Sequence, residues 1–292
     1  MARDRGLSLP IDRPAAETFI WSTARLLDRH RYAMLFEDGP AEPVINALRA
    51  YQNPDGGFGH GLEPDLRCPS SQPGPTLYAL EILEETGVLS GEMGAAACAW
   101  LARVAAPDGG IPSALPGFEA YPHAPWWTAQ PGSMLTFALA GVLHAGGVEN
   151  DEWLPLGTDW CWRSIETIDH PTGYWLKFAL QFLDAVPDEE RARASIAGLA
   201  GRVDPTAIVP IGGTDGEALR PLDLSPRPGS RSRALVSENH IEAHLDAVAG
   251  QQRDDGGWMF DWPAWSPAQT ADWRGIVTIR ALSWLRGNGR RV

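Results

Sequence analysis

One pattern recurs at the two ends of this chain and constrains its fold more than anything else. It reads Gln52-Asn53-Pro54-Asp55-Gly56-Gly57-Phe58 near the start and Gln252-Arg253-Asp254-Asp255-Gly256-Gly257-Trp258 near the finish. Between them, Ala106-Pro107-Asp108-Gly109-Gly110-Ile111 is a degenerate copy. A fourth stretch, Ile211-Gly212-Gly213-Thr214-Asp215-Gly216, keeps the double glycine and moves the aspartate. Gly57 to Gly110 is 53 residues, Gly110 to Gly213 is 103, and Gly213 to Gly257 is 44. A step of roughly 50 residues is the signature of a repeat architecture.

Each copy follows residues spaced by three and four, the helical period: Val44, Ile45, Leu48 and Tyr51 before the first, Ile241, Leu245 and Val248 before the last. The glycines then stop the helix, because glycine takes positive φ without a Cβ penalty. Further helical stretches are predicted at 76–88, 134–143 and 276–285. One repeat is therefore two helices joined by a glycine turn. Gln52 and Gln252 are expected in the last turn of their helices, with Phe58 and Trp258 packed against neighbouring repeats. The stretch from Ser133 to Leu143 is apolar nearly all round, so it is expected to be buried on every side. It is too short to span a bilayer, which needs roughly 20 apolar residues. Helix pairs with one fully buried layer predict an all-α fold of two concentric rings, with five to six pairs in 292 residues.

The glycine turns resemble the QW-type repeats of the terpenoid cyclase and protein prenyltransferase superfamily, whose members fold as α/α toroids. The segment from Gly57 to Arg67, followed by Pro69 and Ser71-Gln72-Pro73, is similar to a narrower group of small single-toroid actinobacterial proteins labelled prenyltransferase-like. The resemblance runs over about 41–286 and implies one α/α-toroid domain. It leaves 1–13 as an extension and 112–131 and 202–232 as loop insertions. It does not carry a reaction, because fold does not fix function.

A formal charge of −13 makes nucleic acid and anionic membranes poor partners. The extension carries Arg3, Arg5 and Arg13 but no apolar core for a signal peptide. Cys68, Cys98 and Cys161 stand far apart and outside any metal pattern, which favours free thiols in a reducing cytoplasm. The loop 112–131 is rich in proline and aromatics. The loop 202–232 is rich in proline, glycine and arginine. Either reads as a lid or binding loop, or, for 225–232, as a disordered surface insertion. The sequence leaves self-association and partner proteins open.

The densest chemistry lies in His60-Gly61-Leu62-Glu63-Pro64-Asp65-Leu66-Arg67. Two carboxylates, an imidazole and a guanidinium so close together can drive pKa values apart into an acid and a base. Glu63 and Asp65, two apart in extended backbone, can face one site. The competing reading is a salt-bridged connecting loop. Catalytic roles are assigned to Asp65, Glu63 and His60, with Arg67, Gln72, Trp126, Trp127, Trp262 and Trp265 binding substrate around a central cavity. Those tryptophans suit a carbocation or a sugar ring, and equally suit plain packing. His240 and His244 have the helical spacing of a metal chelate, but no third ligand is guaranteed, and no metal or cofactor is expected.

The superfamily's known chemistries are missing by motif. Class II terpene cyclases protonate an alkene with Asp-x-Asp-Asp, which is absent, and Asp254-Asp255 lies inside a repeat turn. The Asp-x-Cys zinc motif of protein prenyltransferases is also absent; Asp65-Leu66-Arg67-Cys68 is one residue too long. Asp-rich ionisation motifs, a P-loop and a dinucleotide fingerprint do not occur. The sequence thus supports a cyclase or related acid/base catalyst acting on an apolar or amphiphilic small molecule. It also admits a non-catalytic binding toroid, and a carbohydrate-active toroid using paired carboxylates.

Overall fold

The computed structural model describes residues 11–149, 152–169, 171, 173–200, 209–211 and 217–292. The glycines of the fourth copy, 212–216, lie outside these. Among the described residues twelve α-helices follow in order: Arg13–Thr23 (α1), Leu26–Phe36 (α2), Glu42–Arg49 (α3), Pro73–Glu85 (α4), Glu92–Val104 (α5), Leu135–Ala145 (α6), Leu154–Thr167 (α7), Gly173–Ala185 (α8), Glu189–Ala200 (α9), Pro221–Leu224 (α10), Glu238–Gly250 (α11) and Pro267–Gly287 (α12). The only paired strands among the described residues are Val209–Pro210 and Ala218–Leu219, antiparallel.

The even-numbered helices form the inner layer. Helix α6 packs on α4 and α8, α8 on α10, and α12 on α2. Arg31 of α2 joins α4, donating to Tyr78 Oη at 2.7 Å and to Glu85 Oε2 at 2.9 Å. Odd-numbered helices flank them outside, α5 on α4, α7 on α6, α9 on α8 and α11 on α12. This is an α/α toroid of six helix hairpins. Every residue from Leu135 to Leu143 is buried, as an inner helix covered on both faces must be. Helices α1 and α2 precede the repeat region that the sequence outlines, yet α1 packs on α12 and completes the ring.

The glycine turn is the joint of the ring, and three copies share its geometry. Gly57, Gly110 and Gly257 each donate their N–H to the motif aspartate, Asp55, Asp108 or Asp255, at 3.1 Å. The first glycine has φ of +92°, +92° and +88° at Gly56, Gly109 and Gly256. A Cβ there would stand 2.4 Å from Ala96 O, 2.3 Å from Leu156 O and 2.1 Å from Ala15 O, on the outer helix of the next hairpin. The second glycine lies against an aromatic ring four residues further along that helix: Trp100, Trp160 or Phe19. The next residue, Phe58, Ile111 or Trp258, donates its N–H to a buried inner-helix threonine, Thr76, Thr136 or Thr278, at 3.1, 2.8 and 3.0 Å.

The two glutamines differ from expectation. Helix α3 ends at Arg49 and α11 at Gly250, so Gln52 and Gln252 lie just beyond the last turn. There the side-chain amide is free to staple. Gln52 Nε2 donates to Gly56 O and to Met93 O of α5. Gln252 Nε2 donates to Gly256 O and to Asp12 O, and its Oε1 accepts from Asp12 N. Phe58 and Trp258 are buried in the core.

Two other expectations shift. Helix α12 begins at Pro267, nine residues before the predicted 276, because Ser266 caps it by accepting the Gln269 N–H and proline suits the first turn. The stretch 225–232 is not a disordered insertion. Ser225 and Ser232 are fully buried, Ser232 is bonded to Asp184 through N and Oγ, and Arg231 donates to the carbonyls of Leu183 and Val186 at the end of α8.

Replacing Gly256 by alanine should cost about 2–4 kcal/mol, since both the φ and the Cβ collision must be accommodated. Urea denaturation should place Gly56→Ala in the same range and Gly87→Ala, whose Cβ meets nothing within 4 Å, well below both. Equal losses at all three positions would show that the docking contact contributes nothing beyond backbone strain.

Candidate active site on the ring's closing seam

The segment after the first glycine turn is a tight loop. Leu62 and Leu66 are fully buried and anchor it. His60 N donates to Cys68 O at 2.9 Å and closes the loop at its base. Between these anchors Glu63, Asp65 and Arg67 are displayed at alternate positions. Asp65 is 4 % exposed. Its Oδ1 accepts from Trp265 Nε1 at 2.8 Å, two residues before α12, and from Gln269 Nε2 at 2.9 Å in the first turn of α12. The Trp273 indole N–H is turned toward the same carboxylate and finds no hydrogen bond of good geometry. Glu63 Oε2 accepts the Asp65 backbone N–H at 2.9 Å. Arg67 pairs with Asp272 of α12 at 2.8 Å.

Burial dominates the electrostatics. Desolvation pushes the Glu63 carboxyl well above the usual carboxylate range, and the neighbouring Asp65 charge adds to it, against the Asp65 N–H, Arg25 and Arg67. Desolvation also raises Asp65, opposed by its hydrogen bonds from Trp265 and Gln269. The segment is therefore a pair of carboxyls that hold protons more firmly than free ones do, walled by indoles. Chemically, that is a source of protons for a substrate with no strong base of its own.

The other residues singled out in the sequence are placed less uniformly. His60 is exposed with φ +58°, and its Nε2 is bonded to Asn53 Oδ1 at 3.0 Å, so it does not join the carboxyls. Gln72 is buried and grips Leu115, donating from Nε2 to its carbonyl and accepting its N–H. Trp127 lies over Gly74 at the start of α4, and Trp126 is 40 % exposed beside it. Trp262 stacks on Phe260 at 4.7 Å and meets Trp273 edge-on at 5.0 Å. His240 and His244 do not converge: His240 bonds Ser237, while His244 Nδ1 accepts the Leu222 N–H and faces Trp284.

The loop 112–131 is fastened rather than free. Arg67 N donates to Pro122 O, Ala124 N donates to Asp65 O, and Phe118 joins Leu66, Cys68 and Ala114 in a small core of their own. Sequence reasoning missed the α12 residues Gln269, Asp272 and Trp273. It also missed a set of charges on the inner helices: Glu81, Lys177 and Arg280. Their signal was present in part, since Glu81 stands between Leu80 and Ile82, and Lys177 between Leu176 and Phe178.

The raised carboxyl pKa values make a pH prediction. The folded protein keeps protons that the unfolded chain releases near the ordinary glutamate value of about 4.3. Stability from this source is full below that value and is lost as pH rises toward the raised folded pKa. Glu63→Gln should remove this loss. Urea midpoints measured between acid and neutral pH should therefore fall more steeply in the parent protein than in Glu63→Gln. Parallel curves would show that Glu63 is ionised in the native state.

No protein-family model matches this sequence, and no curated protein matches it. Solved structures do. A protein from Actinoplanes is 19 % identical, with 94 % of this chain and 88 % of that chain covered and a TM-score of 0.53. A variant of the type II terpene cyclase MstE from Scytonema, in complex with its product merosterolic acid A, is 16 % identical, with 94 % and 85 % covered and a TM-score of 0.53. No helix among the described residues is long and apolar enough to cross a membrane. At such identity the likeness concerns the backbone alone: this chain has the terpene-cyclase-like α/α-toroid fold.

Proposed function

We propose that the protein is a proton-initiated cyclase of apolar or amphiphilic small molecules, with Asp65 as general acid. The observation that carries this reading is the Asp65 carboxyl itself: buried, raised in pKa, and tied at one oxygen by two N–H donors. With Oδ1 held by Trp265 and Gln269, Oδ2 is the oxygen left to carry and deliver a proton. Transfer to an alkene carbon forms a C–H bond from the π electrons and leaves a tertiary cation, which a second alkene captures by forming a C–C bond. Loss of a proton from the final cation returns the carboxyl to its starting state, so substrate and product are isomers. Indole faces at Trp262, Trp265 and Trp273 stabilise cations by quadrupole attraction. Glu63, the more strongly raised carboxyl, supplies Asp65 with its proton neighbour and keeps the site from accumulating two charges. His60 has no part in this step.

The acid stands in Glu63-Pro64-Asp65, not in Asp-x-Asp-Asp, so the reading rests on environment rather than motif. The MstE structure with its terpenoid product supports the choice of substrate class, because the fold accommodates such a molecule there. One observation favours a non-catalytic toroid instead. Asp65 joins three segments, through its carbonyl to Ala124 and its carboxyl to Trp265 and Gln269, as a purely structural clamp would.

The two readings separate in one experiment. Farnesyl and geranylgeranyl chains, free and attached to dihydroxybenzoate, are incubated with the protein, and products of unchanged mass with fewer alkene protons are sought. Asp65→Asn should lower turnover by about 10²–10⁴-fold, the usual worth of a positioned acid. Its stability should stay within about 1–2 kcal/mol, the ordinary range for a point change. An Asp65→Asn protein that fails to fold, alongside a parent that converts none of these substrates, would establish the clamp.

A further inference from the structure

The chain from 217 to 224 runs as a strap that joins three parts of the ring. Glu217 Oε1 accepts from the Tyr174 hydroxyl of α8 at 2.9 Å. Leu219, Leu222 and Leu224 are buried, and α10 packs on α8 and α11. Arg220 Nη1 reaches Asp261 at 2.7 Å, and Asp261 stands in sequence between the stacked rings of Phe260 and Trp262. From Arg220 to Ser225 the strap satisfies its own amides with one exception. The Arg220 N–H goes to Asp223 Oδ2, those of Asp223 and Leu224 to Arg220 O, and that of Ser225 to Pro221 O. Proline has none. The Leu222 N–H lies in the first turn of α10, where no helix carbonyl stands behind it. It donates instead to His244 Nδ1 of α11, at 3.1 Å and out of water.

An imidazole nitrogen accepts only while it carries no proton. The contact therefore requires a neutral His244 with its hydrogen on Nε2. His244 is 8 % exposed, and its ring lies 5.9 Å from that of Trp284 on α12. The charges that face it are Asp223 of α10, Arg220 just before α10, Arg280 of α12 and Asp261. Both acids are engaged, Asp223 with the Arg220 N–H and Asp261 with the Arg220 guanidinium. Burial, the largest influence, and the two arginines hold the imidazole below the usual histidine range, against Asp223 and Asp261.

We propose that His244 is an acid-sensitive catch on this strap: neutral, it fastens the first turn of α10 to α11, and protonated, it lets that turn go. Protonation sets an N–H against the Leu222 N–H. A buried amide then loses its acceptor, and a cation is enclosed beside Arg220 and Arg280. Opening relieves both, because a freed imidazole holds its proton in water at about pH 6.5. The catch is full above that value and is lost as pH falls toward the lower value of the folded state. The segment that loosens ties α8 and α11 to the stretch carrying Trp262, so acid weakens one attachment of that end of the ring while the buried helices stay in place.

Amide hydrogen exchange of the full chain tests the catch, read at Leu222 as protection relative to an unfolded chain at the same pH. Protection should fall by up to about tenfold for each pH unit below about 6.5. The amide of Leu245, fully buried on α11, should lose no protection over the same range, which separates local release from global unfolding. His244→Asn keeps an acceptor oxygen near the Nδ1 position and does not titrate, so protection at Leu222 should become independent of pH. Should that variant fail to fold, nitrogen-15 NMR of the parent protein decides. His244 should show a bare Nδ1 and a protonated Nε2 at neutral pH, with Nδ1 gaining its proton as Leu222 loses protection. Leu222 protection indifferent to pH, the same pH dependence in His244→Asn, or a hydrogen on Nδ1 at neutral pH would each overturn the catch.

Discussion

The contact on which this molecule depends is that of a glycine backbone against the backbone of a neighbouring helix. The Asp-Gly-Gly turn brings the chain so near Ala96, Leu156 and Ala15 that no side chain fits between. Each turn thereby fixes where the next hairpin stands. Arg103 and Arg163 reinforce two of these joints by donating to the Asp55 and Asp108 carbonyls. At the third, Arg274 does related work from within its own hairpin, bonded to Asp255 and to Trp258 O. A ring of helix pairs needs every joint to have nearly the same geometry, or it will not close. Repeating one motif, with one hydrogen-bond pattern to one buried threonine, meets that requirement.

The candidate acid inherits its position from this joint. The loop 59–72 starts directly after the first turn, and its partners Trp265, Gln269 and Asp272 start directly after the last. The two joints lie on either side of the place where the chain's beginning and end meet. Gln252 with Asp12, Asp65 with Gln269 and Arg67 with Asp272 all cross that seam. Burial of the carboxyl, its raised pKa and its indole neighbours are consequences of assembly around a closed ring, not properties of the loop alone.

This explains what the sequence revealed. The toroid was legible because its determinant, the glycine turn, is local and repeated. The loop that holds Glu63, Asp65 and Arg67 was legible because ionisable groups are dense there. Their partners were not, because Gln269 and Trp273 lie about 200 residues away and look like ordinary members of a helix. His60 was misleading for a related reason: its spacing matched that of its neighbours, but its left-handed backbone directs it outward to Asn53.

The seam has a kinetic meaning as well. Asp12 and Gln252 are 240 residues apart. Closing so long a loop adds little to the equilibrium cost, which grows only with the logarithm of length, but it places the decisive contacts last in time. While the chain is being synthesised, α1 has no α12 to cover Phe19 and Ile20, and these must wait or be sheltered. During that interval Asp65 has neither indole nor amide to hold it and behaves as an ordinary solvated carboxylate. The buried, indole-walled setting of Asp65 thus exists only once the last helix has arrived.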